Sequence, residues 1–254
     1  PPPSPPAVFT LVLSGDCVTE CQHDKVGVSF GGEAMTLARW PNLPENITSP
    51  AAWANAGQCS GSGFSMDLDK HPEAERLLKW NDEKSPFVHG YWAWDWADCY
   101  GKIMEVRKEG RTIHLRYSSV PDCKSGARWM GVNMLCELDA PGEYFIDADQ
   151  QMLYLIPPTG KPLDSPVMLM YQPGAVVNVT SGVKNARLSN VDVRDGRHAG
   201  INAKGVHGAQ IDSVVVHAHG TNGIDLSDAP GSTITNSQVF DVGCTGLRAT
   251  AGEA

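Results

Sequence analysis

No stretch of this chain approaches the ~18 consecutive apolar residues that a membrane-spanning helix requires, so a helical span is excluded. The N-terminus lacks a basic segment followed by an apolar one, and the chain reads as a soluble polypeptide that begins after any signal peptide. Cations are in the minority: Lys plus Arg is 20 against 29 Asp plus Glu, a net charge of -9. Without a basic stripe to draw in a polyanion, nucleic acid is not an expected partner. A lyase on acidic polysaccharide is disfavoured too, because it needs cations to neutralise the uronate beside its base. There is no Cys-x-x-Cys pair of the zinc type, and no stacked Asp cluster of the kind that gives calcium its oxygens. Neither a metal nor another cofactor is therefore expected.

What the chain does have is turn formers, 26 Gly and 18 Pro, and an internal repeat. Three segments, starting at Ala186, Ala209 and Ser232, align without a gap at a spacing of 23 residues. Leu188, Ile211 and Ile234 form one column, and Val193, Val216 and Val239 a second. Gly200, Gly223 and Gly246 form a third, and Ile201, Ile224 and Leu247 a fourth. A fifth, Asn190, Ser213 and Asn236, is polar and turn-forming. Within a unit, Val191, Val193, Ile201 and Ala203 alternate with polar neighbours at period two, which is strand and not helix chemistry. Such short units bury their apolar side only when the next unit stacks on them, one strand spacing of about 4.8 Å away. The expected architecture is all-β: a parallel β-helix, with the three glycines at corners needing unusual backbone angles. Val214 and Val216 then point inward, and His217 and His219 read as surface histidines. The columns of the two histidines (Arg194 and Phe240, Gly196 and Val242) supply no further metal ligand.

Upstream lie "GEAMTLARWPN" (32–42), "GYWAWDWAD" (90–98) and "LDAPGEYFIDADQQMLYLIPP" (138–158). With the coils, they resemble the extracellular right-handed parallel β-helix repeat proteins, in which a β-rich insertion with such stretches precedes the regular coils. The resemblance covers most of residues 30–254 and implies a right-handed helix. It says little about reaction, because the group holds glycosidases, lyases, epimerases and members without assigned activity. The expected organisation is a Pro-rich spacer at 1–7, a β-rich region over 8–165 and coils over 166–254, with more coils expected beyond. "PPPSPP" is a polyproline II spacer that resembles those of algal and plant hydroxyproline-rich glycoproteins. "DKHPEAERLLKW" offers a short helix with Asp69 as cap. Residues 102–116 and 143–156 read as hairpins.

Sequons at Asn46 and Asn178 and seven cysteines point to a secreted, cell-surface setting. Disulfides are expected among Cys17, Cys21, Cys59, Cys99, Cys123 and Cys136, paired as 17–21, 59–99 and 123–136, with Cys244 left unpaired.

Two kinds of candidate site emerge. At period two, Trp92, Trp94 and Trp96 fall on one strand face, as a row for stacking sugar rings or as core. On the coils, Asn202, Asp225 and Arg248 form one outward column, and Asp192, Arg194 and His217 line another. Asp225, Asp192, Asp195, His217 and Arg248 are the catalytic candidates, since a glycosidase needs two carboxylates. The favoured expectation is a non-catalytic structural or carbohydrate-binding module of a secreted, glycosylated matrix or cell-surface protein. Its partners would be glycans or other matrix proteins, with assembly through other chains open. The alternative is a polysaccharide hydrolase or lyase.

Overall fold

The computed structural model describes residues 8–12, 27–44, 52–61, 63–118, 123–147 and 149–250. The spacer, Cys17, Cys21 and Asn46 lie outside them. Nearly all regular structure is β, and the longer helical elements are 3-10 segments at Pro72–Asp82 and Leu135–Glu137. The chain forms two compact units, one comprising Pro1–Val12 and Thr36–Thr159, the other Leu13–Met35 and Gly160–Ala254.

The second unit contains the solenoid. Val177–Asn178, Ile201–Asn202, Ile224–Asp225 and Leu247–Arg248 stack in parallel as one sheet. Arg187–Ser189, Gln210–Asp212 and Thr233–Thr235 form a second. The third holds Asp192–Gly196, Val215–His219 and Gln238–Val239. The register is the one expected: Ile201 lies against Ile224 and Ile224 against Leu247, with Val216 between Val193 and Val239. Val193, Ile201, Val206, Ile211, Val214, Val216 and Ile224 are buried together. Each such aliphatic side chain contributes about 1.5–3 kcal/mol when fully buried. At the N-terminal side of this unit, Gly27–Phe30 pairs antiparallel with Val167–Met170 and Glu33–Ala34, a link across more than a hundred residues that local pattern does not signal.

Two corrections follow from backbone angles. Gly200, Gly223 and Gly246 do not adopt positive φ; the columns that do are Asn190, Ser213 and Asn236 (φ 56, 56 and 49), Asp195, Ala218 and Asp241 (φ 57, 55 and 50), Asn185, Gly208 and Gly231 (φ 54, 65 and 70), and Gly182, Gly205 and Asp228 (φ 85, 68 and 56). Asn and Asp tolerate this region better than most residues. Gly200 and Gly223 are instead required for space. A Cβ on Gly223 would lie 2.3 Å from Val239 Cγ1, and one on Gly200 2.5 Å from Val216 Cγ1. The second correction concerns His219, which is 3% exposed and not a surface residue. The left-handed Ala218 breaks the in-and-out alternation and turns His219 inward. There its Nε2 meets the Val193 carbonyl at 3.0 Å, and its ring occupies the room left by Gly196.

In the first unit, an eight-stranded sheet runs in the order Arg39–Trp40, Arg128–Val132, Phe87–Trp94, Ala97–Glu109, Thr112–Tyr117, Gly63–Asp67, Gln58–Cys59, with Ala54–Asn55 also on Arg128–Val132. Both expected hairpins form, closing at Glu109 with Thr112 and at Asp147 with Met152. The core is aromatic: Trp40, Trp80 and Trp129 contact one another at centroid distances of 5.6–6.1 Å, and Phe64 reaches Trp129 at 4.7 Å. Pro72 opens the helical segment as expected, but Asp69 does not cap it and pairs with Arg111 instead.

The Arg-Trp-Pro-Asn and Leu-Asp-Ala-Pro-Gly-Glu stretches are scaffold. Asn42 Nδ2 donates to Asp139 at 2.8 Å, the Ala38 amide donates to the Tyr144 carbonyl, and Glu143 accepts from the amides of Asp139 and Ala140. Burial pushes the Glu143 carboxyl up to about 7 and the neighbouring Arg39 guanidinium down to about 10.

The described cysteines pair differently from the expectation. Cys59 is bonded to Cys123, while Cys99, Cys136 and Cys244 are free thiols. The fold brings Cys59 and Cys123 to a Cα separation of 5.5 Å across 64 residues, which nearness in sequence could not reveal. Cys136 sits in the 3-10 turn, where burial and Glu83 push its thiol up to about 12.

Candidate functional site

The strand Phe87–Trp94 alternates: Val88, Gly90 and Trp92 face the core, while Phe87, His89 and Tyr91 face outward. Trp92 is 1% exposed, packs at 4.7 Å on Tyr117 and donates its Nε1 hydrogen to the Cys99 carbonyl. It is a core residue, and the expected row of three tryptophans is broken. Trp94 shares its parity but lies at the hairpin end, and Trp96 sits in the turn itself. They are 52% and 79% exposed and stack on each other at 5.6 Å with 24° between planes. Exposure of two adjacent indoles costs hydrophobic free energy that burying them would recover, so the pair is an accessible apolar platform.

Beside the platform is a set of rings and charges that sequence reading did not single out. Arg128, directly across from Tyr91 in the sheet, lies 4.7 Å above the Tyr91 ring and 5.7 Å from that of Trp53. Its guanidinium donates to Asp95 at 3.1 Å, in the same turn as Trp96. Two residues further along the strand, the His89 ring stacks on Tyr100 at 4.0 Å and meets Asp98 at 2.6 Å. Burial lowers the His89 pKa, opposed by Asp98. The signal available beforehand was the alternation His89, Tyr91 on the strand face opposite Trp92.

On the solenoid, the catalytic candidates separate into groups. His217 lies above Arg194 in the sheet, stacks on Phe240 at 4.9 Å and meets Asp192 at 3.1 Å. Asp225 belongs to another sheet. It accepts from the amide and hydroxyl of Ser227 and lies 3.9 Å from Arg248. Asp192 and Asp225 thus stand on different sheets and are not brought together as a carboxylate pair. Asp195 is the penultimate residue of the Asp192–Gly196 strand, 3.6 Å from Arg194 Nε. Asn178 is exposed, its amide oxygen accepting from Asn202 Nδ2 at 2.9 Å, so its own Nδ2 stays available to a glycan. Among the described residues, no group of three or more His, Cys, Asp or Glu is placed to hold a metal ion.

No protein-family model matches the chain, and no curated protein matches it. A solved structure titled "Glycoside hydrolase" superposes with a TM-score of 0.75 at 11% sequence identity, covering 95% of this chain and 50% of that one. The chain therefore spans half the length of that structure, and at this identity the likeness is one of fold.

Proposed function

We propose that the chain is a carbohydrate-binding β-solenoid module of a secreted, glycosylated matrix or cell-surface protein. The observation that carries this reading is the exposed Trp94–Trp96 stack. An indole presents a flat apolar face to the C–H side of a sugar ring, and two of them next to Asp95 and Arg128 add hydrogen-bonding partners for hydroxyls. The Cys59–Cys123 disulfide and the sequons at Asn46 and Asn178 support an oxidising, extracellular setting.

A second reading is favoured by the fold likeness to a structure titled a glycoside hydrolase. In it, Asp192 with His217, or Asp195, or Asp225 with Arg248, would act from the outer faces of the coils. The separation of Asp192 from Asp225 on different sheets weighs for binding over hydrolysis by that pair.

Affinity electrophoresis of the intact protein in gels carrying a panel of plant and algal polysaccharides tests the binding reading. At least one polysaccharide should retard the protein, and the Trp94→Ala/Trp96→Ala variant should lose at least tenfold in affinity with an unchanged melting temperature. Retardation equal in the variant, or none across the panel, would refute it.

A further inference from the structure

In the first unit, the outer face of the eight-stranded sheet carries a hollow of about 440 Å³. That is within the usual range for small-molecule sites, roughly 300–1,000 Å³. Strand alternation builds it. Phe64, Val106, Ile113 and Leu115 are buried in the core, which sends the residues on either side of them outward. Register then sets Arg107, His114, Ser65 and Gln58 in one row across four strands. The next row runs Glu105, Arg116, Gly63, and at its end the Ser60 amide donates to the Gly63 carbonyl at 3.0 Å. Gly63 lines the hollow with backbone alone, and a Cβ there would lie 2.5 Å from the Leu115 carbonyl oxygen.

The carboxylates stand to one side, on the Ala97–Glu109 strand. Glu109 is engaged, 3.4 Å from Arg107 and 3.6 Å from His114. Arg116 is exposed and makes no ion pair or hydrogen bond among the described residues, although Glu105 is directly across from it on the side away from Gly63. On the Gly63 side its neighbours Ser60, Ser65 and Gln58 are neutral, and each can both donate and accept. That half of the hollow therefore combines one unpaired guanidinium with uncharged hydrogen-bonding groups. A guanidinium fork matches the two oxygens of a carboxylate, while the hydroxyls and the amide suit the hydroxyls of a sugar ring.

We propose that this hollow binds a uronate unit of an acidic polysaccharide, its carboxylate on Arg116 and its ring hydroxyls on Gln58, Ser60 and Ser65. One unpaired cation serves one carboxylate, and no basic stripe is needed. The site is separate from the tryptophan pair, which lies at the hairpin end of the Phe87–Trp94 strand.

Calorimetric titration of the intact protein with methyl galacturonide and methyl glucuronide tests it, with methyl galactoside and methyl glucoside as neutral counterparts and acetate as the bare anion. At least one uronide should bind saturably, at least tenfold more tightly than its neutral counterpart and than acetate. Arg116→Gln should weaken that binding at least tenfold, and Glu105→Gln, which removes the facing negative charge, should tighten it at least twofold. Trp94→Ala/Trp96→Ala should leave it unchanged, so this site and the tryptophan platform fail separately. Both Arg116 and Glu105 are exposed, and Glu105→Gln carries the test if Arg116→Gln fails to fold. Absence of binding by both uronides, equal binding of a neutral glycoside or of acetate, binding undiminished in Arg116→Gln, binding not tightened in Glu105→Gln, or loss of binding in the tryptophan variant would each overturn the proposal.

Discussion

Glu143 is 4% exposed, and burial raises its pKa from 4.5 to about 7. Between those values the folded state holds a proton that the unfolded state releases, so stability falls as pH rises from about 4.5 to 7. His89 acts in the opposite sense: its lowered pKa makes stability rise as pH climbs towards 6.5. Glu143→Gln should remove the first slope and raise stability at pH 8, by at most roughly 3 kcal/mol. Melting temperatures at pH 5 and pH 8 check this, and equal pH slopes in both proteins would contradict it. The solenoid register makes a second prediction at this scale. Val216 is fully buried between Val193 and Val239, and Val216→Asp should cost several kcal/mol. His217→Ala, which removes a ring from the outer face, should cost less than about 1 kcal/mol. Urea denaturation of both separates the two, and the reverse order would mean a register off by one residue.

At the level of elements, stacking requires close backbone approach at Gly223. Gly223→Ala would put a methyl 2.6 Å from the Gly246 carbonyl oxygen and should destabilise by about 1–3 kcal/mol in the same denaturation assay. An unchanged midpoint would show that the coils can separate there. The columns of Leu, Ile and Val were legible beforehand because stacked strands repeat their inward residues at a fixed interval, and the hairpins because their period-two runs flank short turns. The bend at Ala218 was not legible. An alanine gives no sign of a left-handed conformation, and only its column mates Asp195 and Asp241 are residues that favour one. The same limit applied to the tryptophans. Period two places Trp92, Trp94 and Trp96 on one face only if the strand continues, but the chain turns at Asp95 and Trp96. The cluster of Arg128, Tyr91 and Trp53 joins two strands and the bend before a third, all distant in sequence, which no local pattern could announce.

For the molecule as a whole, the first unit carries the covalent staple. The Cys59–Cys123 bond spans 64 residues and, on the loop-entropy account, contributes up to roughly 4 kcal/mol. Non-reducing peptide mapping should recover that cross-link, and reductant should lower the melting temperature. A map showing Cys59 joined to Cys99 would contradict the assignment. A fold of this kind is compatible with more than one activity, so the proposed binding rests on the exposed rings and not on the solenoid itself. The most direct measurement passes a polysaccharide that retards the protein over immobilised intact chain and over the Trp94→Ala/Trp96→Ala variant, then compares retention and eluted chain length. Retention on the intact chain alone, with the polysaccharide unshortened, is the predicted result; equal retention on both, or shortened chains with new reducing ends, would contradict it.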